Sequence, residues 1–214
     1  MTYIFYTYFQ SKLDSALFED YLNRLPYKIQ HKIKRFIRWQ DQQASLFGKL
    51  LLAKSFKHIN NNNINLNDLL YSASGRPYFN NSIDFNISHS GGYVICAITK
   101  KGRLGIDVEK IRNIKIFDFK RYMNTDEWES INNSSHPEKA FFSYWTLKES
   151  VMKANGKGMS IPLKDVIIKN NKAHLYNTLW YLNEINISND CKCHLAISYE
   201  EYNLNINNIE PDNF

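Results

Sequence analysis

The sequence predicts an α+β fold, because strand-like and helix-like segments are mixed without the regular alternation of a doubly wound sheet. Residues 3–9 alternate like a strand, and three further strand-like segments follow one another between residues 85 and 109. Two amphipathic helical segments precede these strands and a third follows them. With 214 residues, the chain can bury a full core as one large domain or as two small ones.

The helices before residue 60 are predicted from the spacing of their apolar residues. Residues 26–39 are expected to form a basic amphipathic helix. Its apolar side consists of Ile29, Ile33, Phe36 and Ile37. Asp41 can cap a second helix that runs to about His58. The polar stretch 60–63 then predicts a solvated connector.

The strands and the last helix are predicted from β-rich segments, turns and caps. The strand segments are 69–72, 85–88, 93–99 and 104–109, followed by a hairpin of 179–187 and 193–199. Ser135 and Glu138 match a capping box, so a helix is expected to follow and to end at about Asn155, before Gly156. Residues 203–214 are expected to form a loosely held tail.

Composition narrows the classes of function. The net charge of +6 suits an acidic partner, but no long run of Lys or Arg is present, which disfavours a nucleic-acid module. The three cysteines make neither a disulfide framework nor a paired zinc site, and they indicate a reducing compartment. The sequence has no signal-peptide pattern and no apolar run of membrane-spanning length, so we expect a cytoplasmic protein without a membrane partner.

Two carboxylates stand at alternate positions of the predicted strand 104–109. Residues two apart on a strand share a face, so Asp107 and Glu109 are expected to lie side by side, opposite the apolar residues. Two neighbouring carboxylates in an apolar setting resist ionising together, and a divalent cation such as Mg²⁺ removes that conflict. The alternative is a strand whose second face is solvated, and this segment alone supports both interpretations equally.

A third carboxylate lies on the predicted helix before Gly156. Trp145, Glu149 and Lys153 are spaced four residues apart and share one stripe of that helix. Glu149 and Lys153 alone would be an ordinary surface ion pair, but the tryptophan on the same stripe indicates a face turned toward protein. Such a stripe could complete a metal shell with Glu149 and neutralise a phosphate oxygen with Lys153.

Two shorter segments suit a phosphate ligand, although each also has an ordinary structural explanation. Residues 86–92 end a strand in hydroxyls, backbone N–H groups and the imidazole of His89, which could converge on an anion. Arg76 stands in a rigid turn beside Pro77 and could pair with a phosphate. Residues 156–158 match only part of a phosphate loop, and the absent Walker pattern excludes an NTPase.

In this order, these segments resemble the single-chain 4′-phosphopantetheinyl transferases of the surfactin-synthetase-activating type. The matching segments are Gly75-Arg-Pro-Tyr78, Phe85-Asn-Ile-Ser-His-Ser-Gly91, Gly105-Ile-Asp-Val-Glu-Lys110 and Trp145-Thr-Leu-Lys-Glu-Ser-Val-Met-Lys153 with Gly156-Lys-Gly158. The acidic pair together with the Trp–Lys–Glu–Lys helix is highly specific, whereas each of the other two segments is weak alone. The matches cover the middle half of the chain.

The resemblance implies two similar α/β halves that form a pseudo-dimer within one monomer, and we expect them to span residues 1–102 and 103–214. It implies that coenzyme A binds in the cleft between the halves. The implied reaction is a Mg²⁺-dependent transfer of the phosphopantetheine arm to a serine of an apo acyl or peptidyl carrier protein, which releases adenosine 3′,5′-bisphosphate.

The resemblance also implies roles for individual residues. Asp107, Glu109 and Glu149 would bind Mg²⁺, with Mn²⁺ as an alternative. Glu149 would be the general base for the serine hydroxyl, and Lys153 would stabilise charge on the pyrophosphate; with Asp107 they form the catalytic set. The remaining contacts to coenzyme A are assigned to Lys32, Arg76, Pro77, Ser88 and His89, with Lys28 as a further candidate.

The sequence departs from the family pattern at two positions, and two other classes of function stay open. Ala44 stands where many relatives have arginine, and Arg76 stands where lysine is common. The main alternative is a non-catalytic coenzyme A- or nucleotide-binding protein, against which the intact set of acids and Lys153 argues. A basic nucleic-acid module would leave the acid cluster unexplained, because carboxylates repel a phosphate backbone.

Overall fold

The computed structural model describes residues 1–60, 63–201 and 203–214. The strands are β1 Thr2–Tyr8, β2 Leu70–Tyr71, β3 Pro77–Tyr78, β4 Asp84–Ser90, β5 Tyr93–Thr99, β6 Leu104–Lys110, β7 Ile167–Lys169, β8 Lys172–Leu175, β9 Thr178–Glu184, β10 Cys191–Ile197 and β11 Leu204–Asn208. The α-helices are α1 Ser15–Asn23, α2 Tyr27–Lys34, α3 Trp39–Asn60, α4 Thr125–Asn132 and α5 Pro137–Asn155. The predicted α+β class is confirmed.

The chain builds the same arrangement twice. In the first sheet, ordered β11-β1-β5-β4, β1 is followed by helices ending in the long α3, and then by the hairpin β4–β5, whose second strand pairs antiparallel with β1. In the second sheet, ordered β6-β10-β9-β8-β7, β6 is followed by α4 and the long α5, and β10 then pairs antiparallel with β6. The predicted pair of similar halves is therefore confirmed.

A ladder of side chains joins the two sheets where β4 runs beside β6. Alternate side chains of β4 accept hydrogen bonds from alternate backbone N–H groups of β6, at distances of 2.8 to 3.3 Å. The pairs are Asp84 with Leu104, Asn86 with Ile106, Ser88 with Val108 and Ser90 with Lys110. These polar side chains replace the backbone acceptors of an ordinary neighbouring strand, which otherwise satisfy buried N–H groups.

Gly105 allows α5 to pack directly on β6. A Cβ atom at this position would lie 2.2 Å from the carbonyl oxygen of Ser150 and 2.3 Å from the backbone nitrogen of Ala154. Only glycine permits so close an approach of two backbones. The other face of β6 is apolar, since Leu104, Ile106 and Val108 are fully buried in the core between the sheets.

Three of the predicted local features differ in the structure. The helix predicted over 26–39 ends at Lys34, and the next begins at Trp39, so Phe36 and Ile37 lie exposed in the connection instead of on an apolar face. The capping box predicted at Ser135 and Glu138 does not form. α5 starts at Pro137 after His136, which makes no side-chain cap, and a proline at the first helical position needs no N–H partner.

The tail predicted over 203–214 is also ordered by packing. β11 pairs in parallel with β1, and the ring of Phe214 stacks on Phe47 at 5.0 Å. Its polar sequence, Leu-Asn-Ile-Asn-Asn, concealed the strand because an edge strand buries little of its side chains. The connector predicted at 60–63 falls largely on residues 61 and 62, which lie outside the described residues.

Within the described parts of the chain, none of the helices has both the length and the apolar character needed to cross a membrane. The three cysteines are unpaired and buried.

The Gly105→Ala variant should be destabilised by about 3 kcal/mol, because its methyl group would meet backbone atoms that cannot move aside. For a protein of this size that corresponds to a fall of roughly 6–12 °C in Tm, measurable by calorimetry. Gly48→Ala is the matched control, because the nearest atoms to its methyl group belong to side chains, with Ile87 Cγ2 the closest at 3.2 Å. Equal Tm values for the two variants would contradict the proposed close packing of α5 on β6.

Candidate active site

Asp107 lies at the centre of the site, on the face of β6 that α5 covers. Its side chain is almost fully buried. The oxygen Oδ1 accepts hydrogen bonds from Ser88 Oγ at 2.9 Å and from Lys153 Nζ at 2.6 Å. The other oxygen, Oδ2, is buried and has no hydrogen-bond partner among the described residues. A buried charged oxygen without a partner costs free energy, so this position favours a cation.

Glu109 lies two residues further along β6 and nearer to solvent. Ser90 Oγ donates a hydrogen bond to Glu109 Oε2 at 2.6 Å, and Arg112 lies 3.7 Å from the same oxygen. Burial raises the pKa of Glu109, and the charge of Asp107 raises it further, while the Ser90 hydrogen bond and Arg112 oppose the shift. The two strand carboxylates therefore interact electrostatically, as neighbours on one strand face should.

α5 brings Glu149 and Lys153 to the same region. Lys153 Nζ donates to both Asp107 and Ser88, the latter at 2.9 Å, so the lysine joins the helix to both strands of the ladder. Burial raises the pKa of Glu149, followed by repulsion from Asp107 and then Glu109, while Lys153 lowers it. The structure thus places all three predicted acids and Lys153 within electrostatic range of one another.

The donor set fits a hard divalent cation, although the acids are not arranged as a closed shell. Across residues 1–60, 63–201 and 203–214, no group of three or more His, Cys, Asp or Glu side chains is placed so that it could hold a metal ion as it stands. Asp107 Oδ2 nevertheless has no partner among the described residues, and burial, together with repulsion between the acids, raises the pKa values of Glu109 and Glu149. Carboxylate oxygens are the ligands that Mg²⁺ prefers.

His89 lines a cavity that contains several basic side chains. This cavity has a volume of about 610 Å³, and Arg38, Lys110 and Arg112 are among its lining residues. The ring of His89 is accessible, yet the surrounding walls lower its pKa by desolvation, and the positive charge of Lys153 lowers it further. His89 is therefore a neutral hydrogen-bonding group at neutral pH, with cations around it.

A smaller cavity of about 170 Å³ contains the predicted Lys32 and a lysine that the sequence analysis missed. Lys28, Lys32 and Lys49 line it together with Ser45 and Tyr71. Burial and, to a smaller extent, repulsion from Lys32 lower the pKa of Lys49 to about 8. Among the described residues, Lys49 has no hydrogen-bond acceptor and no ion-pair partner. The spacing of Lys49 could have indicated its place in this cavity, because it lies one helical turn after Ser45 on the same helix.

Arg76, the predicted phosphate contact, makes several hydrogen bonds within the protein. Its guanidinium is almost fully buried and binds both oxygens of Asp84, at 2.9 and 2.8 Å. It also donates to the backbone carbonyl groups of Lys153, Phe85 and Leu104. These contacts fix the position of the guanidinium, and its predicted contact with coenzyme A stays a prediction. The neighbouring Pro77 lies on β3 and is half-buried.

Ser88, which was predicted to contact coenzyme A, forms three hydrogen bonds within the protein. Its hydroxyl donates to Asp107 and accepts from Lys153 and from the backbone of Val108. The sequence analysis missed the parallel roles of Asp84, Asn86 and Ser90. Their period-two spacing on a strand was the signal for a shared polar face.

Three carboxylates and a lysine lie together at the junction of two halves, next to a cavity lined by basic side chains. Such a set of groups is suited to group transfer from a phosphate ester. Comparison with known proteins agrees. Residues 103–206 match the model of the 4′-phosphopantetheinyl transferase superfamily, and residues 14–101 match that of the 4′-phosphopantetheinyl transferase N-terminal region.

Individual relatives are similar to this chain over most of its length. The 4′-phosphopantetheinyl transferase gsp of Aneurinibacillus migulanus is 33% identical over 167 residues, which cover 76% of this chain and 69% of the relative. The 4′-phosphopantetheinyl transferase Sfp of Bacillus subtilis is 28% identical over 78% of this chain and 75% of its own. The chain therefore belongs to the 4′-phosphopantetheinyl transferase family and is a transferase.

Among solved structures, the holo-[acyl-carrier-protein] synthase of Thermotoga maritima gives a TM-score of 0.37 at 17% identity. The match covers 46% of this chain and 64% of that chain, a similarity too low to define the fold.

Saturating Mg²⁺ should raise the Tm more at about pH 8 than at about pH 5. Because the folded-state pKa values of Glu109 and Glu149 are raised, the folded protein holds their protons more tightly than the unfolded chain does. These groups therefore contribute to the free energy of unfolding at low pH. Their contribution is lost as the pH rises from about 4.5 through their raised folded-state pKa values. Cation binding restores it, and at about one hundred times Kd the gain is about 2.7 kcal/mol, or roughly 5–10 °C.

Melting curves in Mg²⁺ or EDTA at the two pH values measure this difference. Glu149→Gln should remove most of the Mg²⁺-dependent rise, whereas Glu138→Gln, in the first turn of the same helix and outside the site, should retain it. An equal Mg²⁺ response in both variants would show that the cation does not bind the acid cluster.

Proposed function

We propose that this protein transfers the 4′-phosphopantetheine arm of coenzyme A to a serine of an apo acyl or peptidyl carrier protein and releases adenosine 3′,5′-bisphosphate. The observation that supports this most directly is the cluster of Asp107, Glu109, Glu149 and Lys153, in which one buried oxygen of Asp107 has no partner among the described residues. The identity of the transferred group is inferred from the relatives, which are named 4′-phosphopantetheinyl transferases.

Coenzyme A is proposed to bind in the cleft between the halves, residues 1–102 and 103–214. Its pyrophosphate would lie at the acid cluster, and its 3′-phosphate at His89 and the basic cavity of Lys28, Lys32 and Lys49. Neutral His89 can donate one hydrogen bond, while the lysines supply the charge. Pro77 offers an apolar surface for the adenine.

Asp107, Glu109 and Glu149 are proposed to hold Mg²⁺, with Mn²⁺ as an alternative. When bound, such an ion supplies charge neutralisation for the pyrophosphate of coenzyme A. The protein positions these ligands through the ladder, because Ser88 and Ser90 each hold one strand carboxylate.

The reaction is a displacement at the phosphorus atom that bears the pantetheine group. The serine oxygen of the carrier protein forms a new bond to this phosphorus, and the bond from the phosphorus to the bridging oxygen of the pyrophosphate breaks. Glu149 accepts the serine proton, directly or through a water, and its raised pKa makes it a stronger base than an ordinary glutamate. Lys153 stabilises the negative charge on the departing adenosine 3′,5′-bisphosphate.

The carrier protein is proposed to dock beside α4. A surface cavity of about 750 Å³ there is lined by Phe117, Lys120, Arg121, Trp128 and Lys164, among others. The ring of Phe117 is 71% exposed, whereas Met123, in the same region, is buried in the core. Cations around exposed aromatic rings suit the acidic surface that carrier proteins present near the modified serine, and the net charge of +6 adds long-range attraction.

We propose that the enzyme works as a cytoplasmic monomer. The internal repeat places two similar halves around one site, and the buried free thiols suit a reducing compartment. The alternative of a non-catalytic coenzyme A-binding protein is disfavoured, because Glu149 and Lys153 are both present and both lie close to Asp107.

Incubation with coenzyme A, Mg²⁺ and a panel of apo carrier proteins should add one phosphopantetheine group to a carrier, detected by mass spectrometry. Glu149→Gln should lower turnover by about 100-fold or more while changing coenzyme A affinity little, because proton transfer occurs only in the transition state. Asp107→Ala should abolish Mg²⁺-dependent transfer. The Glu138→Gln control should keep wild-type turnover, and full activity of Glu149→Gln would exclude Glu149 as the base.

Lys49→Met and His89→Ala should each weaken coenzyme A binding about 10-fold or more and dephospho-coenzyme A binding little, since only coenzyme A has the 3′-phosphate. Titration calorimetry of both ligands measures the ratio. Lys57→Met, an exposed lysine on the same helix and outside the smaller cavity, is the control. Equal weakening of both ligands would show that these residues do not contact the 3′-phosphate.

A further inference from the structure

The connection between α2 and α3 carries two apolar side chains that the protein core does not use. Phe36 is 39% exposed and Ile37 is 100% exposed. The backbone here is nevertheless well anchored, because the N–H of Phe36 donates to the carbonyl oxygen of Ile33 at 3.2 Å and the side-chain amide of Gln42 donates to the carbonyl oxygen of Phe36 at 2.8 Å. An apolar surface on a fixed backbone gains free energy when a partner covers it, and little ordering entropy is lost on binding.

Positive charge surrounds these two residues. Arg35 and Arg38 flank them in the chain, and both are exposed. Neither arginine forms an ion pair within the described parts of the chain, and residues 21–40 contain no aspartate or glutamate. We call residues 35–38 the basic tip. An apolar centre between unpaired cations suits a partner whose contact surface has an acidic rim.

The basic tip borders the cavity of about 610 Å³ that lies beside the acid cluster. Arg38 and Trp39 of the first half line this cavity together with Arg112 of the second half. Ser90, whose hydroxyl donates to Glu109, also lines it. The cavity is therefore bounded by both halves and reaches the neighbourhood of a proposed metal ligand.

A folded carrier protein that delivers its serine to the acid cluster has to lie over the mouth of this cavity. A stable interface covers roughly 800 Å² on each partner, which is wide enough to reach both walls. We propose that the basic tip is a docking site for the carrier protein on the first half of the enzyme, in addition to the surface beside α4. This inference rests on the proposed function, because it names a surface that binds the proposed partner.

Ile37→Glu should raise the KM for the apo carrier protein about 10-fold, while kcat and the KM for coenzyme A change less than about 3-fold. The substitution replaces an apolar contact with a carboxylate that repels an acidic partner. Ile206→Glu is the matched control, because Ile206 is 44% exposed on β11, at the edge of the first sheet opposite to β4. Circular dichroism and Tm confirm that both variants are folded. Equal carrier KM values for the two variants would overturn the proposal.

Arg38→Glu tests the charge of the basic tip. At low ionic strength it should raise the carrier KM about 10-fold, and the increase should shrink in about 0.5 M salt because salt screens exposed charges. Lys57→Glu, near the other end of α3, changes the net charge by the same amount and is the control. A carrier KM raised equally by both reversals would show attraction by net charge alone, which contradicts docking at the tip.

Cross-linking tests for direct contact. Ile37→Cys labelled with benzophenone maleimide should cross-link to the apo carrier protein on irradiation, whereas labelled Ile206→Cys should not. The three native cysteines are buried, so the label attaches to the introduced thiol. No adduct from position 37, or equal adducts from both positions, would overturn the docking site.

Binding to vesicles of phosphatidylglycerol separates this role from a contact with an anionic lipid surface, which basic and apolar residues also suit. Vesicle binding that Ile37→Glu abolishes, with an unchanged carrier KM, would overturn the proposal in favour of a membrane contact. Wild-type protein that modifies no carrier would overturn the proposed function and this docking site together. Active wild type with an unaffected Ile37→Glu overturns the docking site alone.

Discussion

The side-chain ladder between β4 and β6 is the interaction on which the rest of the structure depends. Two sheets that each end in a strand would normally expose unpaired N–H groups at their junction. Here the side chains of β4, from Asp84 to Ser90, supply the acceptors instead of a backbone. Two sheets built on the same plan are thus joined through side chains while each keeps its own strand order.

The acid cluster owes its position to the same junction and to the absence of a side chain at Gly105. Gly105 lets α5 approach β6, so Glu149 and Lys153 come close to Asp107. Concentrating three carboxylates there costs free energy, as the raised pKa values of Glu109 and Glu149 show. The packing of α5 on β6 holds the carboxylates together despite this cost. Such an arrangement is typical of functional sites.

Features that depend on the local spacing of residues could be predicted from the sequence. Features that depend on partners distant in the chain could not. The spacing of Asp107 and Glu109 predicted one shared face and that of Glu149 and Lys153 another, while the family resemblance implied that the two faces meet. The contacts of Arg76 could not be predicted, because its acceptors include backbone carbonyl groups far away in the chain. The strand at 204–208 was missed for a similar reason, since its pairing with β1 is decided by an available edge and not by its own polar residues.

The position of the positive charge on Lys153 depends on how the two halves are arranged. Its ammonium group is fixed by Asp107 and Ser88, while its carbonyl is fixed by Arg76. Ser88 and Arg76 precede β6, whereas Asp107 and Lys153 lie on β6 and α5. A rotation of one half against the other would therefore stretch contacts at both ends of this residue. The position of the Lys153 ammonium group at the acid cluster is consequently fixed by the same contacts that hold the two halves together.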